Sequence, residues 1–153
     1  MSQPSKLYTQ IMGILEDRLG ERVGDFSFPP PVFTAMQGEF LGFDLESGTL
    51  KVAFPVLDEQ LNPYGTMQGG MIAAAIDNAL GPLSMLLAPP NLTRKLEITY
   101  NRPATLEMEQ VIVEARLIKQ VNRLIYFKAV VTSASGIRLA RAKAVHWVLE
   151  TNP

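Results

Sequence analysis

The segment Asn62-Pro-Tyr-Gly-Thr-Met-Gln-Gly-Gly70, followed by Met71-Ile-Ala-Ala-Ala-Ile-Asp-Asn-Ala-Leu80, decides the fold. Its first half carries the Asn, Pro and Gly residues of a loop, and its second half is rich in the helix-forming residue Ala. The apolar run over residues 70–87 predicts a helix buried on nearly every side, with Pro82 restricting its later part. We therefore expect the rest of the chain to be built around this one helix.

The flanking sequence predicts a second helix and an antiparallel sheet. Apolar residues spaced three and four apart predict an amphipathic helix at Lys6–Leu19, and the prolines of residues 28–32 predict a stiff extended connector. Alternating apolar residues predict strands at 33–44, 49–55, 93–102, 106–119, 124–133 and 137–149. Short turns at 46–48, 121–123 and 134–136 join neighbouring strands as hairpins, so the sheet is expected to be antiparallel.

Length and composition are those of an ordinary globular protein. With 153 residues, 47% of them hydrophobic, the chain is sized for one domain spanning 1–153, with residues 1–32 as a helix and Pro-rich connector. The 14 basic and 15 acidic residues give a net charge of -1, which offers no general attraction to nucleic acid or anionic lipid. The expected class is α+β, a long central helix wrapped by a curved antiparallel sheet, with an extra N-terminal helix.

The cysteine and histidine counts limit the chemistry. The chain has no cysteine, which excludes thiol nucleophiles, and its single histidine, His146, excludes any mechanism with two imidazoles. No His, Asp and Glu cluster has metal-ligand spacing, so we expect neither a metal nor another cofactor. His146 shares one face of the last strand with alanines, where a core or interface role is expected. The N-terminus lacks a signal-peptide core, and Asp77-Asn78 disfavours a membrane span, so we expect a cytoplasmic protein.

Two features of the central segment favour a functional site. Gly69 and Gly70 leave unshielded backbone N–H groups at the helix start, where the helix dipole favours negative charge. Asp77 interrupts an apolar helix, and a buried carboxylate is costly unless it is paired or hydrogen-bonded. Each feature also has a plainer explanation. A glycine pair before a helix is common turn chemistry, and the carboxylate can bond to nearby backbone or face a solvent-filled groove.

The spacing of these two features predicts a dimer. Asp77 follows Gly69 by eight residues, which is ~12 Å along a helix, whereas a base and an oxyanion donor must both lie within ~3 Å of the reacting groups. Two antiparallel copies of the helix would bring Gly69 of one chain near Asp77 of the other. A stripe of small residues suits that packing, and it comprises Gly70, Ala73, Ala74, Asp77 and Gly81.

The same residues resemble the PaaI-type branch of the hot-dog acyl-CoA thioesterases. That family has Asn, a short gap containing Gly, His-Gly-Gly, and Asp two helical turns later; Asn62, Gly69, Gly70 and Asp77 match it. The strand end Ile98-Thr99-Tyr100-x-x-Pro103-Ala104 and the order of elements extend the resemblance over nearly the whole chain. The resemblance implies the hot-dog fold, acyl-CoA thioester hydrolysis, and a homodimer that pairs further into a dimer of dimers, a homotetramer.

The resemblance also implies a role for each matching residue. Asp77 would be the nucleophile or the general base that activates water, and the Gly69 N–H would polarise the thioester carbonyl from the partner chain. Asn62 would help to orient the carbonyl or the water. Thr93 matches a family position often held by Ser or Thr, whose hydroxyl positions the water or the carboxylate.

The chain departs from the family at Gln68, which stands where the family has His. Gln donates and accepts hydrogen bonds but cannot carry a proton at neutral pH. It can therefore replace a His that orients the loop or the thioester, but not one that titrates. We favour the orienting role, because Asp77 remains as the base. Gly70, Asn78 and Met67 are expected to line the acyl-CoA site.

Two rival functions share the fold. A non-catalytic acyl-CoA-binding module would keep the pocket without needing Asp77. A hot-dog hydratase or dehydratase relies on a helix histidine, which this sequence lacks. Because one fold serves several functions, the site must separate them.

Overall fold

The computed structural model describes residues 5–150. The helices are α1 (Lys6–Leu19), α2 (Pro31–Ala35) and α3 (Gly69–Leu87). The strands are β1 (Glu39–Asp44), β2 (Thr49–Pro55), β3 (Asn91–Tyr100), β4 (Gln110–Val121), β5 (Leu124–Ser133) and β6 (Arg138–Val148). The predicted helix at Lys6–Leu19 is confirmed, and the central helix begins one residue earlier than predicted.

One antiparallel sheet carries all six strands, in the order β1-β2-β4-β5-β6-β3. Tight turns join β1 to β2, β4 to β5 and β5 to β6, as the turn residues predict. Strand β3 instead follows α3 and pairs along β6, with Thr93 opposite His146. Its other edge faces no strand within residues 5–150, and most of its side chains are exposed on both faces.

Helix α3 packs in the curve of the sheet, against β2, β3, β4 and β5. By length and composition α3 could also cross a membrane, but more than half of it is buried inside the protein. One stripe of α3 is left open or only partly covered by the rest of the chain: on this open stripe Gly70 and Asp77 are exposed, and Ala73, Ala74 and Gly81 are half-buried. This arrangement is the hot-dog fold, with α1 as the extra N-terminal helix, and the fold prediction is confirmed.

The N-terminal half of the predicted first strand is wrong. Residues 31–35 form α2, so the predicted extended connector over residues 28–32 is also wrong at its last two residues, and the strand begins only at Glu39. Pro31 occupies the first turn of α2, where its fixed φ suits a helix and its missing N–H costs nothing. The helix buries Phe33, whose ring stacks on Phe40 at 4.8 Å. Gly38 permits this packing, since a Cβ there would lie 2.7 Å from the Phe33 ring.

Three other strand boundaries differ from the prediction. Strand β3 begins at Asn91 rather than at residue 93, so that Asn91 joins the ladder opposite Val148. The start of the predicted fourth segment, Leu106–Met108, is a 3-10 turn, and β4 begins at Gln110. Strand β6 is one residue shorter at each end than the predicted 137–149. Because β3 starts early, Asn91 and Thr93 both lie on this strand, and both border the cleft that contains Asp77.

Candidate functional site

Asp77 lies in the middle of α3 on its open stripe. The side chain is exposed in the single chain, so the carboxylate is not buried as the apolar surroundings in the sequence suggested. Thr93 Oγ1 donates a hydrogen bond of 2.7 Å to Asp77 Oδ1. The other carboxylate oxygen accepts no hydrogen bond within residues 5–150 and is free to meet a ligand. The structure therefore brings together two of the residues assigned to catalysis.

A histidine lies directly behind this pair. His146 Nε2 is 3.3 Å from Thr93 Oγ1, and its Nδ1 is 2.8 Å from Asn91 Oδ1. The imidazole is 2% exposed and packs against the Phe127 ring at 4.7 Å. Burial lowers the pKa of His146 below 6.5, while the nearby Asp77 carboxylate acts in the opposite direction. A cleft of about 280 Å³ contains the whole group, bounded also by Pro82.

The loop before α3 is held by Asn62. Its Oδ1 accepts from the N–H groups of Tyr64 and Thr66, at 3.0 and 3.2 Å, and its Nδ2 donates to Thr66 Oγ1 at 2.9 Å. Every polar atom of the Asn62 amide thus has a partner inside the loop. In this structure Asn62 shapes the glycine-bearing turn rather than presenting a free amide.

The start of α3 presents unused donors. The N–H groups of Gly69 and Gly70 donate no hydrogen bond within residues 5–150, as expected for the first helical turn. Tyr100 Oη donates to the Gly69 carbonyl at 2.7 Å, and burial raises the pKa of this phenol. A Cβ on Gly69 would lie 3.3 Å from the Tyr100 ring, so glycine allows this close approach. The helix terminus can hold a developing negative charge.

Of the four remaining predicted site residues, two are exposed and two are buried. Gln68 precedes the helix with an exposed side chain, and Gly70 is exposed near it, with open space where a Cβ would lie. Met67 is buried and borders a cleft of about 300 Å³ next to Gly69. Asn78 is 9% exposed, borders the Asp77 cleft, and donates to the Ala74 carbonyl at 2.9 Å. The Asn78 amide is therefore committed mainly to its own helix.

Two separate clefts result, one at the Gly69 end of α3 and one beside Asp77. No residue borders both of them. The eight-residue separation corresponds to ~12 Å along the helix. Within residues 5–150 no group of three or more His, Asp and Glu side chains could hold a metal.

Sequence reasoning missed His146 as a member of the site. Asn91 and Thr93 alternate on one face of a strand, which is a visible signal, but the pairing of β3 with β6 is not readable from the sequence. Tyr100 belongs to the strand end that carried the family resemblance, yet no pattern indicated its contact with Gly69.

The fold and the site define a hot-dog protein with a carboxylate at mid-helix and free glycine N–H groups at the helix start. The family model of the thioesterase superfamily matches residues 64–140, half of the chain, and the chain belongs to that superfamily. None of the curated proteins matches it significantly.

Solved structures agree with this assignment. A phenylacetic acid degradation-related protein of Ralstonia eutropha JMP134, named as a candidate thioesterase, is 27% identical with a TM-score of 0.73, covering 83% of this chain and 97% of its own. The PaaI protein of the E. coli phenylacetic acid degradation operon is 12% identical with a TM-score of 0.74, covering 96% and 99%. A Streptococcus mutans UA159 protein bound to acetyl CoA is 21% identical with a TM-score of 0.68, covering 76% and 91%. The last two likenesses concern the fold alone.

Proposed function

We propose that this chain hydrolyses an acyl-CoA thioester to the free acid and coenzyme A. The observation that carries the proposal is the hydrogen bond from Thr93 to Asp77 on the open stripe of α3. It fixes one carboxylate oxygen and leaves the other without a partner among the described residues, on a side chain that borders a cleft. Membership of the thioesterase superfamily supports thioester hydrolysis. The Streptococcus mutans relative with acetyl CoA supports a coenzyme A ester as the substrate.

The chemistry needs a base or nucleophile and an oxyanion donor. Asp77 takes a proton from water, whose oxygen bonds to the thioester carbon, or it attacks that carbon itself to form an anhydride that water then cleaves. In either route the carbon–sulfur bond breaks and coenzyme A leaves as a thiolate that takes up a proton. The Gly69 N–H, at the positive end of α3, stabilises the negative charge on the carbonyl oxygen.

Two chains are needed because one chain holds these groups too far apart. An antiparallel pair of α3 helices, packed through the stripe of small residues, places Gly69 of one chain beside Asp77 of the other. The open edge of β3 supports this arrangement, since a long unpaired strand is a template for pairing with a second copy. On that strand Leu92 and Tyr100 are 62% and 49% exposed in the single chain. The dimer would cover these apolar side chains.

Gln68 fits an orienting role in this site. It lies at the N-terminus of α3 with its side chain exposed, where an amide can hydrogen-bond the thioester or the pantetheine arm. No proton transfer is assigned to it, because Asp77 supplies the base. Met67 borders the cleft at Gly69, Asn78 borders the cleft at Asp77, and Gly70 is exposed at the start of α3; all three would contact the acyl-CoA.

The direct test measures coenzyme A release from aliphatic and aromatic acyl-CoA esters with a thiol reagent. The protein has no cysteine, so every thiol detected comes from the substrate. The Asp77→Asn variant should lose about 10²- to 10⁴-fold in kcat, the usual contribution of a general base. Asp58→Asn, on an exposed turn outside the site, is the matched control. Coenzyme A binding without turnover of any ester would favour the non-catalytic module instead.

Mixing two defective variants tests the composite site. Gly69→Pro removes the N–H donor, and the backbone suits it, because Gln68 already has φ -59 and ψ 138. Gly69→Ala keeps the N–H while adding the same Cβ near Tyr100, and so controls for crowding. Co-expressed in equal amounts with Asp77→Asn, Gly69→Pro should restore about a quarter of wild-type activity, since random pairing leaves that share of two-chain sites intact. A site within one chain would give none.

A further inference from the structure

His146 closes a hydrogen-bonded chain that begins at Asp77. The chain runs from Asp77 Oδ1 to Thr93 Oγ1 at 2.7 Å, on to His146 Nε2 at 3.3 Å, and from Nδ1 to Asn91 Oδ1 at 2.8 Å. Asn91 Nδ2 in turn donates to the Pro89 carbonyl at 2.8 Å. Four side chains from three elements, α3, β3 and β6, are thus connected in one line.

The far end of this line fixes the tautomer of the imidazole. Asn91 uses its Nδ2 on Pro89, so the atom facing His146 is the acceptor Oδ1. The Nδ1 of His146 must therefore carry a proton and donate it to Asn91. In the neutral imidazole, Nε2 is then a bare acceptor that faces the Thr93 hydroxyl.

The Thr93 hydroxyl has one proton and two acceptors to choose from. When His146 is neutral, the Thr93 proton goes to Asp77, which is the shorter contact and carries the negative charge, and Nε2 of His146 faces the hydroxyl oxygen without donating to it. When His146 is protonated, Nε2–H donates to Thr93 Oγ1, and the hydroxyl polarised by this bond donates more strongly to Asp77. Protonation also adds a positive charge close to the carboxylate. Both changes make Asp77 a weaker base and a weaker nucleophile.

The surroundings leave Asp77 as the charged partner of His146. From β5, Ile125 is its cross-strand neighbour and Phe127 packs on its ring, and neither titrates. From β3, Asn91 and Thr93 face it and carry no charge. On β6 itself the same face carries Ala144 and Val148. Burial lowers the pKa of His146 and the Asp77 carboxylate partly offsets this, so the imidazole is neutral near pH 7.

We propose that His146, anchored by Asn91, is a positioning residue that controls the basicity of Asp77 through the Thr93 hydroxyl. The neutral imidazole is the active form, and its protonation switches the site to a less reactive one. The catalytic consequence rests on the proposed thioester hydrolysis, whereas the hydrogen-bonded chain itself does not.

Nuclear magnetic resonance tests the chain without any substrate. His146 is the only imidazole in the sequence, so in untagged protein labelled with ¹⁵N-histidine every imidazole signal belongs to it. We expect the neutral form protonated on Nδ1 at pH 7, with a titration midpoint below 6.5. In Asp77→Asn the midpoint should fall further, because the carboxylate that favours the charged form is gone; Asp58→Asn should leave it unchanged. A proton on Nε2, or a midpoint that ignores Asp77→Asn, would overturn the proposal.

Asn91→Asp should shift the titration midpoint of His146 in the direction opposite to Asp77→Asn. It keeps the shape of the side chain but places a carboxylate beside Nδ1, which should raise the midpoint by about one unit or more. The pH below which kcat declines should rise with it, while KM should change little because His146 is buried behind Thr93. In His146→Gln, which cannot take up a proton, the decline should move to lower pH.

The kinetic and spectroscopic results distinguish failure of this proposal from failure of the proposed function. If the midpoint moves in Asn91→Asp but the acid decline of kcat stays in place, His146 has no control over Asp77 and the proposal is wrong. If the wild type turns over no thioester, the proposed function fails, and the tautomer and midpoints still decide whether the hydrogen-bonded chain exists.

Discussion

The Thr93 hydroxyl on the edge strand β3 lies 2.7 Å from Oδ1 of Asp77 in the middle of α3. This bond joins the open edge of the sheet to the open stripe of the helix, the two surfaces that a second copy would cover. The candidate site therefore lies at the margin of the single chain, on an exposed side chain whose second carboxylate oxygen accepts no hydrogen bond from residues 5–150. Activity and assembly should depend on each other.

Removing the Thr93 hydroxyl should lower activity without unfolding the protein. A hydrogen bond to a charged group contributes roughly 1.5–3 kcal/mol, so Thr93→Val should reduce kcat by about ten- to a hundredfold. Valine keeps the β-branched shape that suits an exposed strand position. Steady-state kinetics with the best acyl-CoA ester, beside a thermal melt, measures the effect.

Thr93→Ser is the control, since it keeps the hydroxyl and loses only a methyl group. Its kcat should stay within a few-fold of the wild type. Equal losses in the Val and Ser variants would mean that the methyl group, not the hydrogen bond to Asp77, is what the site needs.

The stripe on α3 should govern assembly. Ala73 is half-buried on this stripe and lies outside the hydrophobic core cluster, so Ala73→Arg adds bulk and charge without disturbing the interior. We expect light scattering to show the mass of one chain, and thioester hydrolysis to disappear together with the dimer. Gln10→Arg on the exposed face of α1 is the control and should keep both. A monomeric Ala73→Arg protein with full activity would refute the composite site.

The sequence predicted those elements whose signals are local. The spacing of Leu7, Ile11 and Leu15 sufficed for α1, and the Ala-rich run sufficed for α3. The strand prediction failed at residues 33–35, because an apolar run after prolines suits a strand as well as a short helix. What decides for α2 is the burial of Phe33 against Phe40, a contact that no local pattern shows.

The same distinction between local signals and long-range contacts applies to the candidate site. Asp77 and Gly69 could be proposed as site residues because each breaks a local pattern, one by charge and the other by lack of a side chain. His146 could not be placed, because its neighbours Thr93 and Asn91 lie more than fifty residues away in the chain and meet it only through strand pairing. The exposure of Asp77 was also not predicted. The sequence of an Ala-rich helix does not show whether the face that the core leaves uncovered meets solvent or a partner chain.

The turn between β1 and β2 should make the stability of the folded protein depend on pH in the acid range. Asp44 accepts from the Ser47 hydroxyl and from the N–H groups of Ser47 and Glu46, and these bonds hold the pKa of the carboxyl below its ordinary value of 3.8. A lowered pKa in the folded state means stability that is present above pH 3.8 and is lost as pH falls through the folded pKa. Asp44→Asn should therefore be less stable than the wild type at neutral pH.

Denaturant unfolding at several pH values measures this difference. The gap between wild type and Asp44→Asn should close as pH drops below the pKa of the folded carboxyl. Glu46→Gln, exposed in the same turn, changes a carboxylate that accepts none of these bonds and should show no such gap. A gap that persists unchanged at low pH would assign the effect to side-chain shape rather than to charge.

The outer face of the sheet carries a row of like charges that should cost stability. Lys128 on β5 lies directly opposite Arg116 on β4 and Lys143 on β6, and all three side chains are exposed. Like charges directly opposite in an antiparallel pair are destabilising, whereas opposite charges contribute roughly 0.2–1 kcal/mol per pair. Lys128→Glu replaces two repulsive pairs by two attractive ones, and should raise the free energy of unfolding by about 1 kcal/mol at low salt.

Two further variants separate charge from other effects. Lys128→Gln removes the repulsion without adding attraction, so its gain should be smaller. Lys51→Glu makes the same charge change where the ammonium pairs with Glu114 at 3.2 Å, and it should destabilise the protein. Because salt screens exposed charges, all three differences should shrink when unfolding is repeated at about 1 M salt. A loss of stability in Lys128→Glu at low salt would contradict this prediction. It would mean that Lys128 makes a favourable contact that the cross-strand register does not show.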